Sequence, residues 1–144
     1  MTKILVVDDE AIITMQLEER LSSMGYTISG MAASGEEAVE KARRLLPDIV
    51  LMDIQLPGIN GIEAIRRIKE NSPQTQALIL SVMNVSDYKE AAIAAGACAY
   101  INKQHMHATL IPVLSKLLPS QTTEGDKPLD AAFFTSITDT HTKP

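Results

Sequence analysis

Tryptophan is absent, and two phenylalanines and three tyrosines are the whole aromatic content of a 144-residue chain that is 45% hydrophobic. Any core must therefore come from aliphatic side chains and methionine, packed by shape rather than stacked by ring. A single cysteine, Cys98, excludes an internal disulfide and suits a reducing compartment. His105 and His107 stand two apart and His141 lies far off, so no zinc-ligand spacing exists and the histidines read as surface residues. Basic charge does not dominate either. Thirteen Lys and Arg against eighteen Asp and Glu leave a net charge of -5, which argues against nonspecific nucleic-acid binding. No apolar run approaches the roughly 18 residues of a membrane span, and no basic-then-apolar leader opens the chain. What remains is a slightly acidic α/β chain, expected in the cytoplasm and long enough for one cored domain.

Against these absences stand four short apolar runs that each end in a particular polar residue. Ile4-Leu5-Val6-Val7 runs into Asp8-Asp9, and Ile49-Val50-Leu51-Met52 into Asp53. Leu78-Ile79-Leu80 ends at Ser81, and Ala99-Tyr100-Ile101-Asn102 ends at Lys103. Unbroken apolar runs of this length, set between helical patterns, read as parallel strands buried on both faces. Ligands of such sheets bind beyond the carboxyl ends of the strands. If these strands are neighbours, three carboxylates, a hydroxyl and an ammonium converge on one patch.

Helical patterns fill the intervals. Glu10 to Met24 carries Ile12, Ile13, Leu17, Leu21 and Met24 near helical spacing, and Gly25 stops it. Tyr26 to Met31 is mixed in character and reads as a strand at the sheet edge. Ser34 with Glu37 three residues on predicts a capping box for a helix to Leu46. Pro57-Gly58 and Asn60-Gly61 punctuate a loop before a helix over about Ile62 to Asn71. Ser86 or Asp87 is expected to cap a short, alanine-rich helix ending near Gly96. The last helix spans about Met106 to Leu118, and Pro112 inside it predicts a late start or a bend. Strict alternation of five strands and five helices implies right-handed crossovers and a three-layer α/β/α sandwich. Residues 1–118 form this domain. Residues 119–144 are polar at first and read as a tail or linker, with one apolar cluster between Leu129 and Ile137 that includes Phe133 and Phe134.

Three acids at one place repel unless something positive intervenes. All-oxygen carboxylate donors suit magnesium. An aspartate beside that metal at a strand tip favours phosphoryl chemistry, with a carboxylate oxygen attacking to give an aspartyl phosphate. Lys103 would supply a counter-ion and Ser81 a hydrogen bond. Catalysis of this kind is positioning plus charge stabilisation, so few residues suffice.

The stretch Val6-Val7-Asp8-Asp9-Glu10, the loop from Met52 through Asp53 to Gly61, and Ser81 with Tyr100-Ile101-Asn102-Lys103 resemble the receiver domain of response regulators in two-component signal transduction. The resemblance covers about residues 1 to 118. It implies a flavodoxin-like fold with strand order 2-1-3-4-5. It further implies that Asp53 accepts a phosphoryl group from the phosphohistidine of a sensor histidine kinase or a phosphotransfer protein. By the same resemblance Asp9, Asp53 and the carbonyl of Gln55 ligate Mg2+ directly, and Asp8 does so through water. Lys103 pairs with the phosphoryl group, Ser81 rotates to bond it, and Tyr100 turns inward with Ser81. The face of the fourth helix, fifth strand and fifth helix then selects an output domain, a partner protein or a second copy of the chain. No membrane and no nucleic acid are expected as partners of this chain. It would be no enzyme beyond promoting its own phosphoryl transfer and slow loss.

Departures from the pattern accompany the match. Val82 follows the hydroxyl residue where alanine or glycine is usual, and Gln104 follows the lysine where proline is common, so a trans peptide is expected there. Val82 and Met83 cannot orient an attacking water, which predicts a long-lived phosphoryl state. The alternative is a pseudo-receiver, a protein-binding scaffold that takes no phosphate. A phosphoaspartyl hydrolase fits poorly, because the adjacent Asp8-Asp9 pair lacks the spacing of such a nucleophile and acid.

Overall fold

Each apolar run divides its side chains between two opposite faces, and that division creates the layers. The computed structural model describes residues 2–117. Five parallel strands, β1 (Lys3–Val7), β2 (Thr27–Ala32), β3 (Ile49–Met52), β4 (Gln76–Ser81) and β5 (Ala97–Asn102), form one sheet in the order β2-β1-β3-β4-β5. Leu5, Val7, Val50, Met52, Ala77, Ile79 and Tyr100 point into one core, and Ile4, Val6, Ile49, Leu51, Leu78, Leu80, Ala99 and Ile101 into the other. Helices α2 (Gly35–Leu45), α3 (Gly61–Asn71) and α4 (Val85–Ala95) cover the first face. Helices α1 (Ala11–Ser23) and α5 (Met106–Leu117) cover the second through Leu17, Leu21, Leu110, Val113, Leu114 and Leu117. A sheet buried on both faces needs strands without polar alternation, as read from the sequence. The doubly wound, flavodoxin-like expectation is met, with β2 at an edge.

Helix ends follow local chemistry. Ser34 Oγ accepts the N–H of Glu37 at 3.1 Å, while Glu37 reaches back to the N–H of Ala33 at 2.9 Å, so the reciprocal bond of the box lands one residue earlier than the usual pattern. Leu46 ends that helix in the left-handed region at φ 50°. Asn60 Oδ1 caps α3 by accepting from Glu63 N–H at 2.9 Å.

Two expectations need correction. Neither Ser86 nor Asp87 caps α4; both lie inside it, and Asn84 occupies the cap position with extended backbone and no side-chain capping bond. Of the two outcomes expected from Pro112, the late start does not occur: the final helix starts at Met106 and runs through the proline. Ala108 and Pro112 are both exposed, so water can serve the carbonyl that the proline leaves without an N–H. The peptide after Lys103 is trans, as expected, and no cis bond occurs among the described residues. The segment 119–144, including Phe133 and Phe134, lies outside the described residues.

Candidate functional site

The sheet ladder continues one residue past the strand ends, and this places the acids. Asp53 N–H donates to the carbonyl of Val7 and Asp8 N–H to that of Ala32, both at 3.0 Å. Val7 pairs with Met52 in register, so Asp8 and Asp53 leave adjacent strands side by side. Ser81 pairs with Asn102 at the far side, which delivers Lys103 from the next residue.

Oxygens of Asp8, Asp9 and Asp53 all lie within 4.8 Å of one another. Asp8 and Asp53 are buried, and Asp9 is exposed. The Lys103 ammonium enters this cluster, 2.5 Å from Asp8 Oδ2, 3.2 Å from Asp53 Oδ2 and 3.6 Å from Glu10 Oε1. Its side chain is only 9% exposed, so its pairs with Asp8 and Asp53 are held out of bulk water, while Glu10 lies in solvent. One ammonium among three aspartates leaves an excess of negative charge. A divalent cation fits that excess and the all-oxygen donor set.

Burial pushes the Asp53 carboxyl above its usual range, against the opposing pull of Lys103, and the neighbouring Asp8 pushes the same way. Burial would pull the Lys103 ammonium down, but its hydrogen bond to Asp8 and the charges of Asp53 and Asp8 outweigh that and raise it. Lys103 therefore stays cationic, while burial disfavours the charged form of Asp53.

Ser81 is fully buried. Its Oγ accepts the N–H of Met83 at 3.1 Å and shares a hydrogen bond with the Tyr100 phenol. Tyr100, 1% exposed, donates its hydroxyl to the carbonyl of Met83 at 2.9 Å. Burial drives its phenol up to about 12, so it remains a donor. Val82 stands 53% exposed beside this pair. Gln55 donates its N–H to Asp53 Oδ1 at 3.3 Å, which sets the turn that carries its carbonyl.

The structure thus brings Lys103 into contact with Asp8 and Asp53, sets an Asp9 oxygen within 4.8 Å of both acids, and joins Ser81 and Tyr100 in one network. Sequence reasoning missed the residues that hold the loop after Asp53. A Cβ on Gly61 would sit 2.0 Å from the Asp53 carbonyl oxygen, and one on Gly35 2.4 Å from the Ile59 carbonyl. Glu36 also accepts the N–H of Ile59 at 3.2 Å. The Asn60-Gly61 pair was a visible turn signal, but the close approach of Gly35 and Glu36 spans more than twenty residues and had none.

A family model for the response regulator receiver domain matches residues 4–115. The chain belongs to that family. The receiver is 38% identical over 115 residues to the chemotaxis protein CheY of Thermotoga maritima, covering 80% of this chain and 96% of that one. It is 34% identical to the response regulator GacA of Pseudomonas syringae, covering 84% of this chain but 57% of that longer protein. Thus the receiver spans nearly all of one relative and about half of the other. Among solved structures it resembles the response regulator domain of Thermotoga maritima CheB, with 32% identity, a TM-score of 0.73 and coverage of 81% and 93%. A LuxR-family two-component response regulator from Aurantimonas is similar at 29% identity and TM-score 0.78, covering 99% and 100%. Among the described residues no helix is long and apolar enough to cross a membrane.

Proposed function

We propose that this receiver is a phosphorylation-activated signalling switch whose phosphoacceptor is Asp53. A sensor histidine kinase or phosphotransfer protein presents a phosphohistidine; an Asp53 oxygen attacks phosphorus, the P–N bond breaks, and the imidazole leaves with its electron pair. Asp8 through water, with Asp9, Asp53 and the Gln55 carbonyl, would hold Mg2+, which when bound supplies neutralisation of the phosphoryl oxygens. Lys103, already cationic and within 3.2 Å of Asp53 Oδ2, pairs with the incoming charge. Ser81 turns its hydroxyl from the Met83 amide toward the phosphoryl group in this reading. Tyr100 shares that network, so the change passes to α4, β5 and α5, the face that meets an output domain, a partner protein or a second copy. The chain does no chemistry on other molecules in this reading, only its own transfer and slow hydrolysis.

The observation that carries the reading is the Lys103 ammonium, its side chain 9% exposed, bridging the buried Asp8 and Asp53 with Asp9 alongside. A merely solvated strand end would not bury two carboxylates. Acetyl phosphate with Mg2+ should raise the intact mass by one phosphoryl group in the wild type and not in Asp53→Asn. An unchanged wild-type mass would favour the pseudo-receiver, a scaffold that binds protein without phosphate.

A further inference from the structure

We infer that Asn102 is a positioning residue that holds Lys103 over the carboxylates, a role that rests on the reading of the site above. Lys103 is the first residue after β5, where the ladder ends, and it opens a 3₁₀ turn over Lys103–His105. Ladder bonds no longer orient its backbone. In their place, Asn102 Oδ1 accepts the N–H of Gln104 at 2.8 Å. That bond ties together the residues on either side of Lys103 in an Asx turn. The far end of the turn is also pinned. Met106 N–H donates to the Lys103 carbonyl, and the Thr109 hydroxyl donates to the His105 carbonyl at 2.7 Å.

Residue 104 makes the device work. A proline there would restrain the chain through its ring but offer no N–H; glutamine offers the N–H, and Asn102 binds it. Lysine carries a large rotamer entropy, so its ammonium finds two carboxylates reliably only when its Cα direction is fixed. The result is a side chain that reaches Asp8 and Asp53 while remaining 9% exposed.

The test compares wild type, Asn102→Ala, and Asn102→Ser, which keeps a short oxygen acceptor without adding charge. Each is treated with trace acetic anhydride, and acetylation of individual lysines is followed by peptide mass spectrometry. Lys69, whose Nζ donates to the carbonyls of Pro73 and Thr75 at 2.7 Å each, is the internal control. Loss of a capping bond should speed Lys103 acetylation about fivefold in Asn102→Ala, with Lys69 unchanged and Asn102→Ser near wild type. Phosphorylation by acetyl phosphate and Mg2+ should slow in Asn102→Ala and recover in Asn102→Ser. Unchanged Lys103 acetylation in Asn102→Ala overturns the inference, and so does a parallel rise at Lys69, which would mean general loosening. If the wild type takes up no phosphoryl group, the Asp53 reading fails while the acetylation comparison still decides the role of Asn102.

Discussion

Lys103 Nζ lies 2.5 Å from an Asp8 oxygen and 3.2 Å from an Asp53 oxygen, so the ammonium is shared and sits nearer the acid that is not the proposed acceptor. Asp8 can therefore hold the lysine in place independently of Asp53, the proposed acceptor.

Removing that ammonium leaves two buried carboxylates facing each other. Lys103→Gln should lose about 3–5 kcal/mol of unfolding free energy in the presence of EDTA. Adding Mg2+ should restore more stability to the variant than to the wild type, since a divalent ion replaces the missing cation. Urea unfolding with and without Mg2+ measures both, and equal curves for the two proteins would contradict the shared-ammonium picture.

Val82 follows the buried Ser81, is itself 53% exposed, and carries two methyls where alanine is usual. Val82→Ala should shorten the lifetime of the phosphorylated form severalfold by admitting water and should speed phosphorylation. Decay of the phosphoprotein mass after removal of donor reads the first effect. Identical lifetimes would mean that Val82 does not shield the site.

Gly61 has no room for a side chain, because a Cβ would lie 2.0 Å from the Asp53 carbonyl oxygen. Since that neighbour is backbone, Gly61→Ala must displace the acceptor strand or the start of α3. A stability loss of about 1–3 kcal/mol is expected, together with slower phosphorylation. A variant as stable and as reactive as wild type would show that the loop yields without cost.

The Tyr100 phenol, raised to about 12 by burial, has a sign that can be worked out. The folded state favours the protonated phenol more than the unfolded state does. That stability is complete below pH 10, the ordinary phenol value, and is lost as pH rises toward 12. Absorbance titration should show a late-titrating tyrosine that is missing in Tyr100→Phe. The stability difference between the two proteins should narrow across the same pH interval.

Local chemistry was legible wherever one short segment decides the outcome. The strand runs, the Ser34 cap with Glu37 and the Asn60-Gly61 turn are properties of a few adjacent residues, and the structure keeps them. The start of α4 was not legible: Asn84, Ser86 and Asp87 all suit a cap, and tertiary placement of the chain after Ser81 selects Asn84. Pro112 did not delay the last helix, because the cost of a missing bond depends on whether the carbonyl it orphans can reach water.

By itself, the sequence determined the alternation of buried strands with helices, the acids and the lysine at strand ends, and membership of a receiver family whose motif those residues carry. Only the tertiary structure decided that Lys103 leans on Asp8, that Glu36 and Gly35 clasp the loop beyond Asp53, and that Asn102 brackets the lysine. The reason is range. Periodicity and capping act over a turn or two of chain, whereas the distance from Lys103 to Asp8 depends on register across three intervening strand pairings, each set by packing on both faces of the sheet.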